Sequence, residues 1–448
     1  MTENTLPRKI SLLQASAINM IDMVGIGPFV VLGIVANTMG GPWFIYAWIA
    51  GAILSFADAT IWSALGATFP KAGGSYNFLK EGYGPKWGKL MSFLFVWQTM
   101  IQAPLVIASA AIGFSMYAGY IFSLTGIEHK IISGAVVILI VLLLYRKIEA
   151  IGKISVFLWI GVLLTMACVI GGGLWHGNFL APVQHINDGL TFDMVFVTAL
   201  SAASVKTIYT YLGYYNVCHI GGEIKNPQKN IPRSMYISIT GISIFYLLMN
   251  ISVASVLPQQ VLQNSSFAVS DFMESLAGRG AATIITILIL WVAFASVFSA
   301  TLGYSRIPYA AAKDGAFFSV FAKLHPTKNF PYISLLVLGA VAFVFSLLFR
   351  LSDVIDAIIA VRILIQFIGQ GVGLLLLAKR KGRNFFSWKM PFFPIPAIFA
   401  MIIWLAIFYA TGWKMMLSGI AVIVCGIIAF LIKSKWNDEW PFKKILQP

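Results

Sequence analysis

Charge is what this sequence has least of. Its 448 residues include 16 acidic and 31 basic side chains, 10% of the chain, where a soluble domain carries about 25%. With 59% of residues hydrophobic, a soluble enzyme or binding module is excluded and an integral membrane protein remains. Cysteine is nearly missing. Cys168, Cys218 and Cys425 lie in or beside apolar runs and are expected to act as small buried hydrophobes. Their spacing fits neither a metal site nor a disulfide framework. The histidines His129, His176, His185, His219 and His325 are scattered, none at helix-face metal spacing. The glycine run at 171–173 follows no strand, so it is not a phosphate loop. No segment is of low complexity, and no polar stretch is long enough for a soluble domain. Nothing in this inventory supports enzyme chemistry.

What the chain has instead is a succession of apolar runs of about 20 residues, the length that spans a bilayer. They predict twelve helices, at about 12–36, 42–68, 88–122, 130–146, 152–175, 193–221, 235–257, 281–311, 331–349, 353–378, 392–411 and 415–433. The first run is too long for a signal peptide and lacks a small-residue cleavage pattern. The basic residues are divided unequally between alternate connections. One side collects Arg8 and Lys9, Lys71 to Lys89, Arg146 to Lys153, Lys225 to Arg233, Arg306 to Lys328, Lys379 to Lys389, and Lys433 to Lys444. The other keeps Lys130, Arg279, Arg350 and Lys414. Basic loops stay in the cytoplasm, so a multi-pass protein of the cell membrane with both termini cytoplasmic is expected. The short tails point to a bacterial inner membrane. The net charge of +15 is then topological, and nucleic acid is not a partner.

Two of the predicted helices break the rules for a membrane span. The first contains "MVGIGPFVV", with Gly25, Gly27 and Pro28 inside four residues, although glycine costs a helix interior about 1 kcal/mol and proline about 3. The sixth contains "IYTYLGYYN", with Gly213 amid aromatic and polar residues. Interrupted spans at corresponding places in two halves of a chain mark a transporter's binding site, and these lie five spans apart. A helix that stops and restarts at mid-membrane leaves free N–H groups on one half and free C=O groups on the other. The N–H end attracts a carboxylate and the C=O end an ammonium. Two such helices side by side are predicted to hold a free amino acid through backbone alone.

Four stretches carry a family resemblance: "VGIGPF" at 24–29, "LGATFPKAGGSYNFLKEGYGPKWG" at 65–88, "GEIKNPQKNIPRSM" at 222–235 and "SRIPYAAAKDGAFFSVFAKLHP" at 305–326. Through them the chain resembles the amino acid–polyamine–organocation (APC) superfamily of permeases over nearly its whole length. The resemblance implies an all-α fold with one transmembrane domain over 1–448. Its core would be two five-helix inverted repeats, at about 12–175 and 193–378, with helices 1 and 6 discontinuous. Two extra helices would follow at about 392–433. It implies a substrate carboxylate on the amides of Gly25, Ile26 and Gly27, and an amine near the carbonyls of Met23, Tyr209, Thr210 and Leu212. Tyr209 would be an aromatic gate and Gly213 the pivot of helix 6. The chain departs from relatives in having Ile26 where Ser or Thr is frequent, and no acid among Ser63, Ala64 and Leu65. Its fifth span has no lysine beyond Lys153. The outer loop "SLTGIEHK" lacks cysteine, so no disulfide-linked accessory subunit is expected.

Asp22, Asp58, Lys206 and Arg362 remain at membrane depth, where ionisable groups line a pathway or pair with one another. Asp22 and Lys206 are expected to flank the cavity, either with one of them changing protonation in the cycle or as a fixed structural ion pair. Asp58 is expected to be an interior hydrogen-bonding residue. Arg362 is a candidate for an outer charge pair with Asp353 or Asp356. Ser296, Ser299 and Thr301 are candidate sodium ligands, though such hydroxyls more often bond a backbone carbonyl. Gln98, Gln102 and Ser109 are candidates for the substrate's side chain. Glu223 and Asp314 are expected in salt bridges between helices. The expected function is secondary active transport of amino acids by alternating access, with a neutral amino acid as substrate. No cofactor is expected, a proton is the favoured co-substrate over sodium, and the amino acid and the bilayer are the partners. The alternatives are exchange, a cationic amino acid or polyamine as substrate, and an amino-acid sensor without sustained flux.

Overall fold

The computed structural model describes residues 6–175, 178–184, 186–187, 189–437 and 439–442. His176, His185, Lys443 and Lys444 lie outside the described residues. The first span is two helices, α1 (Leu12–Met23) and α2 (Gly27–Met39), bent by 44° across their break. Next come α3 (Phe44–Thr68), α4 (Ser75–Ile121), α5 (Gly126–Leu144) and α6 (Ile148–Trp175). A short α7 (Ala181–Gln184) precedes α8 (Met194–Tyr211), which breaks off before the single turn α9 (Asn216–His219). Then follow α10 (Pro227–Val256), α11 (Gln259–Asn264), α12 (Ala268–Tyr304), α13 (Arg306–Lys313) and α14 (Tyr332–Leu348). The tenth span joins α15 (Leu351–Arg362) to α16 (Gln370–Lys381) through a π-helical stretch, Ile363–Gly369. The chain finishes with α17 (Ile395–Ala410) and α18 (Trp413–Trp436).

Each predicted apolar run is therefore a helix or a broken pair, and the fold is all-α. Among the described residues, eight helices are long and apolar enough to cross a membrane, the bent pair α1–α2 makes a ninth, and the shorter α8, α14 and α17 fill the remaining predicted positions. Among the described residues there is no strand, only two isolated bridges, Ile10 with Ile224 and Ala72 with Ile220. Local sequence sets the ends. Ser11 and Gln14 form a reciprocal capping box at the start of α1, and Thr125 with Glu128 does the same for α5, which satisfies amides that a helix start leaves free. Both α4 and α12 run on from amphipathic segments that bend at Gly84 and Gly278.

Burial sorts the helices. α1, α3, α10 and α12 carry long series of buried residues, whereas α18 buries only Gly419, Gly426, Phe430 and Ser434. Ile138 and Leu142 on α5 and Leu417, Val424 and Ile428 on α18 are exposed, as lipid-facing side chains must be when the solvent is hydrocarbon. Cys218 is buried, but Cys425 lies on that outer surface of α18 and is exposed. The expectation of a buried cysteine fails there because hydrocarbon, not protein, covers that face.

Candidate functional site

The first break is made by what its residues cannot do. α1 stops at Met23, and Val24 N–H bonds back to Met20 O at 2.9 Å. Pro28 falls in the first turn of α2, where its missing N–H is no loss. It starts the second half rather than kinking the first. The next amide bonded across the break is Val30 N–H, to Ile26 O at 3.2 Å. The amides of Gly25, Ile26 and Gly27 have no hydrogen-bond partner among the described residues. Free N–H groups at a helix start form an anion site.

The second break faces the first. α8 ends at Tyr211, Leu212 is extended, and Gly213 takes φ +123°. A Cβ on Gly213 would come within 2.8 Å of Asp22 C and Met23 N. A Cβ on Gly27 would meet Thr210 Cγ2 at 3.1 Å and Tyr209 Cε1 at 3.2 Å. The chain restarts only as the single turn α9, held by Asn19 Oδ1 accepting from Val217 N–H at 2.9 Å and by Asn216 Nδ2 donating to Ser299 O at 2.9 Å. The second half of helix 6 is thus an irregular connection, shorter than the predicted run to residue 221.

Between the breaks lies a cavity. The predicted residues Met23, Gly25, Ile26, Gly27, Tyr209, Thr210, Leu212 and Gly213 all line it, as do Asp22 and Arg362. Lys206 does not. Its Nζ pairs with Asp356 Oδ1 at 2.5 Å, so the expected flanking pair of Asp22 and Lys206 is corrected. Lys206 lies about one turn before Tyr209, and from there its stem reaches across to α15. That same contact removes Asp356 as the partner of Arg362, and the side chain of Asp353 lies outside the described residues. Arg362 turns inward instead. Its two terminal nitrogens donate to Tyr215 Oη at 2.6 Å and Tyr304 Oη at 2.5 Å.

The carbonyls expected to hold the amine are largely engaged by the protein. Tyr246 Oη on α10 lies 2.7 Å from Met23 O and 3.0 Å from Thr210 O, and its one hydrogen is shared between them. Tyr209 O accepts from Leu212 N–H at 3.4 Å. Tyr246 thereby ties the two broken ends to each other. Asp58 lies outside the cavity, 1% exposed. It accepts from Trp62 Nε1 at 2.8 Å, Trp404 Nε1 at 3.2 Å and the Tyr214 hydroxyl, and so anchors the residue after Gly213 to α3 and α17.

Other candidates are placed as follows. Ser109 Oγ lies 3.1 Å from Tyr209 Oη, and Gln102 Nε2 donates to Tyr304 Oη at 3.3 Å. Neither of them nor Gln98 lines the cavity. Ser299 Oγ donates to Ile18 O and Thr301 Oγ1 to Val297 O, both at 2.7 Å, while Ser296 reaches the cavity beside Gly25. No group of three His, Cys, Asp or Glu side chains could hold a metal among the described residues. Glu223 holds Arg306 at 2.8 Å and Asp314 holds Lys80 at 2.6 Å. Both pairs lie on the side of the bundle that carries the N-terminal segment. The sequence reading missed Val106, Ala110, Tyr215, Tyr304 and Ile358 as lining residues. Helical spacing was a usable signal, since Val106 with Ala110 and Ile358 with Arg362 are each four apart.

A bundle of apolar helices around a central cavity, walled by two interrupted helices, defines the class: this is a membrane transporter. Residues 10–436 match the family model described as amino acid permease, and the chain belongs to that family, within the APC superfamily. It is 27% identical over 407 residues to a serine/threonine exchanger of Bacillus subtilis, covering 89% of this chain and 90% of that protein. It is 24% identical to the human cystine/glutamate transporter, over 97% of this chain and 87% of the relative. A methylthioribose transporter of Bacillus subtilis is 23% identical, over 96% and 94%. These relatives are transporters, not enzymes.

Proposed function

We propose that this protein carries amino acids across the cell membrane by alternating access, with the cavity between the two breaks as the substrate site. The observation that carries this reading is the set of unpartnered amides at Gly25, Ile26 and Gly27. They open on a cavity that Gly213 allows α8 to close from the other side. A substrate's α-carboxylate accepts from those amides. Its ammonium lies toward Asp22 and the carbonyl of Leu212, because Tyr246 occupies Met23 O and Thr210 O. The facing breaks fit two inverted repeats, at about 12–175 and 193–378, with α17 and α18 added outside. The Lys206–Asp356 pair bars the cavity on one side, and the Glu223–Arg306 and Lys80–Asp314 pairs bar it on the other. The distribution of basic loops supports a cytoplasmic side for the second set and for both termini, in a cell membrane. No cofactor takes part, and Asp22 is the group available to a coupling proton. A proton is favoured over sodium as the co-substrate.

Exchange of internal for external amino acid is a second reading, favoured by the serine/threonine exchanger among the relatives. Uptake into proteoliposomes with and without an internal amino acid separates the two. Strict dependence on internal substrate establishes exchange, and uptake driven by an imposed pH gradient alone establishes proton symport. Saturable uptake in neither condition, for any amino acid, refutes transport and leaves a sensor.

A further inference from the structure

Among the described residues, Arg362 is the one cation lining the cavity, and it is 1% exposed. It forms no ion pair among the described residues. Its terminal nitrogens meet only the phenol oxygens of Tyr215 and Tyr304, and its Nε has no partner. A buried charge at membrane depth is costly unless paired, and marks a functional site. Asp22 lines the same cavity, accepts no hydrogen bond and forms no ion pair among the described residues, and faces Arg362 only through space. The cavity therefore offers three charge-selective positions: the amides of residues 25–27 for an anion, Asp22 for a cation, and Arg362 for a second anion.

We propose that the substrate is an amino acid with a carboxylate in its side chain. This rests on the transport reading above and names the substrate class within it. The α-carboxylate takes the three amides, the ammonium faces Asp22, and the side-chain carboxylate pairs with Arg362. The two tyrosines use one hydrogen on each terminal nitrogen and hold the guanidinium plane still. One hydrogen on each remains for a carboxylate, which matches the parallel two-bond geometry that arginine supplies. A neutral side chain would leave Arg362 with no anion in direct contact, only Asp22 across the same cavity. A cationic one would place like charges together inside a poorly screened cavity. The sequence leaves open which way Asp22 and Lys206 face, and a neutral substrate is the expectation it supports. Lys206 is now outside the pocket and Arg362 inside it.

The test uses the purified full-length protein, in a thermal-shift panel of L-glutamate, L-aspartate, L-glutamine, L-asparagine, L-leucine, L-lysine and sodium chloride at matched ionic strength. Labelled uptake into proteoliposomes accompanies it. The expected result is stabilisation by glutamate or aspartate at concentrations at least tenfold below those needed for its amide analogue. Arg362→Gln is expected to lower acidic uptake at least tenfold more than uptake of the amide analogue, and Arg362→Lys to retain part of the acidic preference. If the variants fail to fold, the wild-type panel decides alone. Equal or tighter binding of glutamine or leucine overturns the acidic assignment while leaving the transport reading intact. Chloride stabilising as strongly as glutamate overturns it too, because Arg362 would then be an inorganic-anion site. If no amino acid stabilises or is transported, the underlying reading itself fails.

Discussion

Gly213 carries two demands that no other residue type meets. Its φ of +123° and its approach to the α1 backbone mean that Gly213→Ala adds about 1–3 kcal/mol of backbone strain on top of a steric clash. Loss of uptake and a melting temperature lowered by several degrees are expected, measured on purified protein. Gly25 has a different constraint, because a Cβ there would lie 2.5 Å from Ser296 Oγ. Gly25→Ala is therefore expected to fail, and Gly25→Ala with Ser296→Gly to regain part of the uptake. A failure of that rescue would show that Gly25 is needed for more than room. Tyr246→Phe removes the hydroxyl spanning Met23 O and Thr210 O. Its expected cost is about 1 kcal/mol in unfolding titrations, with substrate affinity altered more than that of a remote Tyr→Phe control such as Tyr409→Phe.

The broken spans were legible as elements, because glycine and proline have no other use at such density inside an apolar run. The partners of the membrane charges were not. Lys206 is three residues from Tyr209 in the chain, yet it points to Asp356 on α15, and only the packing of α8 against α15 decides that. Tyr304 looked like the last residue before a loop motif, and its cavity role depends on where α12 ends. Tyr246 left no mark in the sequence, since one tyrosine in a membrane helix is ordinary. The acids in loops were easier to read: Glu223 and Asp314 had basic neighbours and did form pairs between elements. Breaking the buried Glu223–Arg306 pair, in which the side chains are 0% and 2% exposed, by Glu223→Gln is expected to cost about 3–5 kcal/mol. The Lys206–Asp356 pair is partly exposed and costs less, so Lys206→Met is expected to leave the melting temperature within a few degrees. Cysteine-labelling rates in the cavity, read from each side of the membrane, are expected to rise on the Glu223 side in the first variant and on the opposite side in the second.

At the scale of the whole molecule, the proposed orientation has a direct check. In a variant lacking the three native cysteines, Glu128→Cys is expected to react with an impermeant maleimide in intact cells. Thr327→Cys is expected to react only after permeabilisation, and the reverse pattern would invert the topology. The short parallel bridge next to α1 has a further consequence. The amides of Lys9 and Ile10 both donate to Glu223 O at 2.9 Å, and Lys225 N–H returns to Ile10 O at 2.8 Å, while the Glu223 carboxylate grips Arg306. One residue thus fastens the chain leading into α1, the loop after α9 and the start of α13. The first helix cannot swing away without tugging the grip on Arg306, so this side of the molecule behaves as a single latch with few half-released states, and trimming the first ten residues should leave it standing ajar.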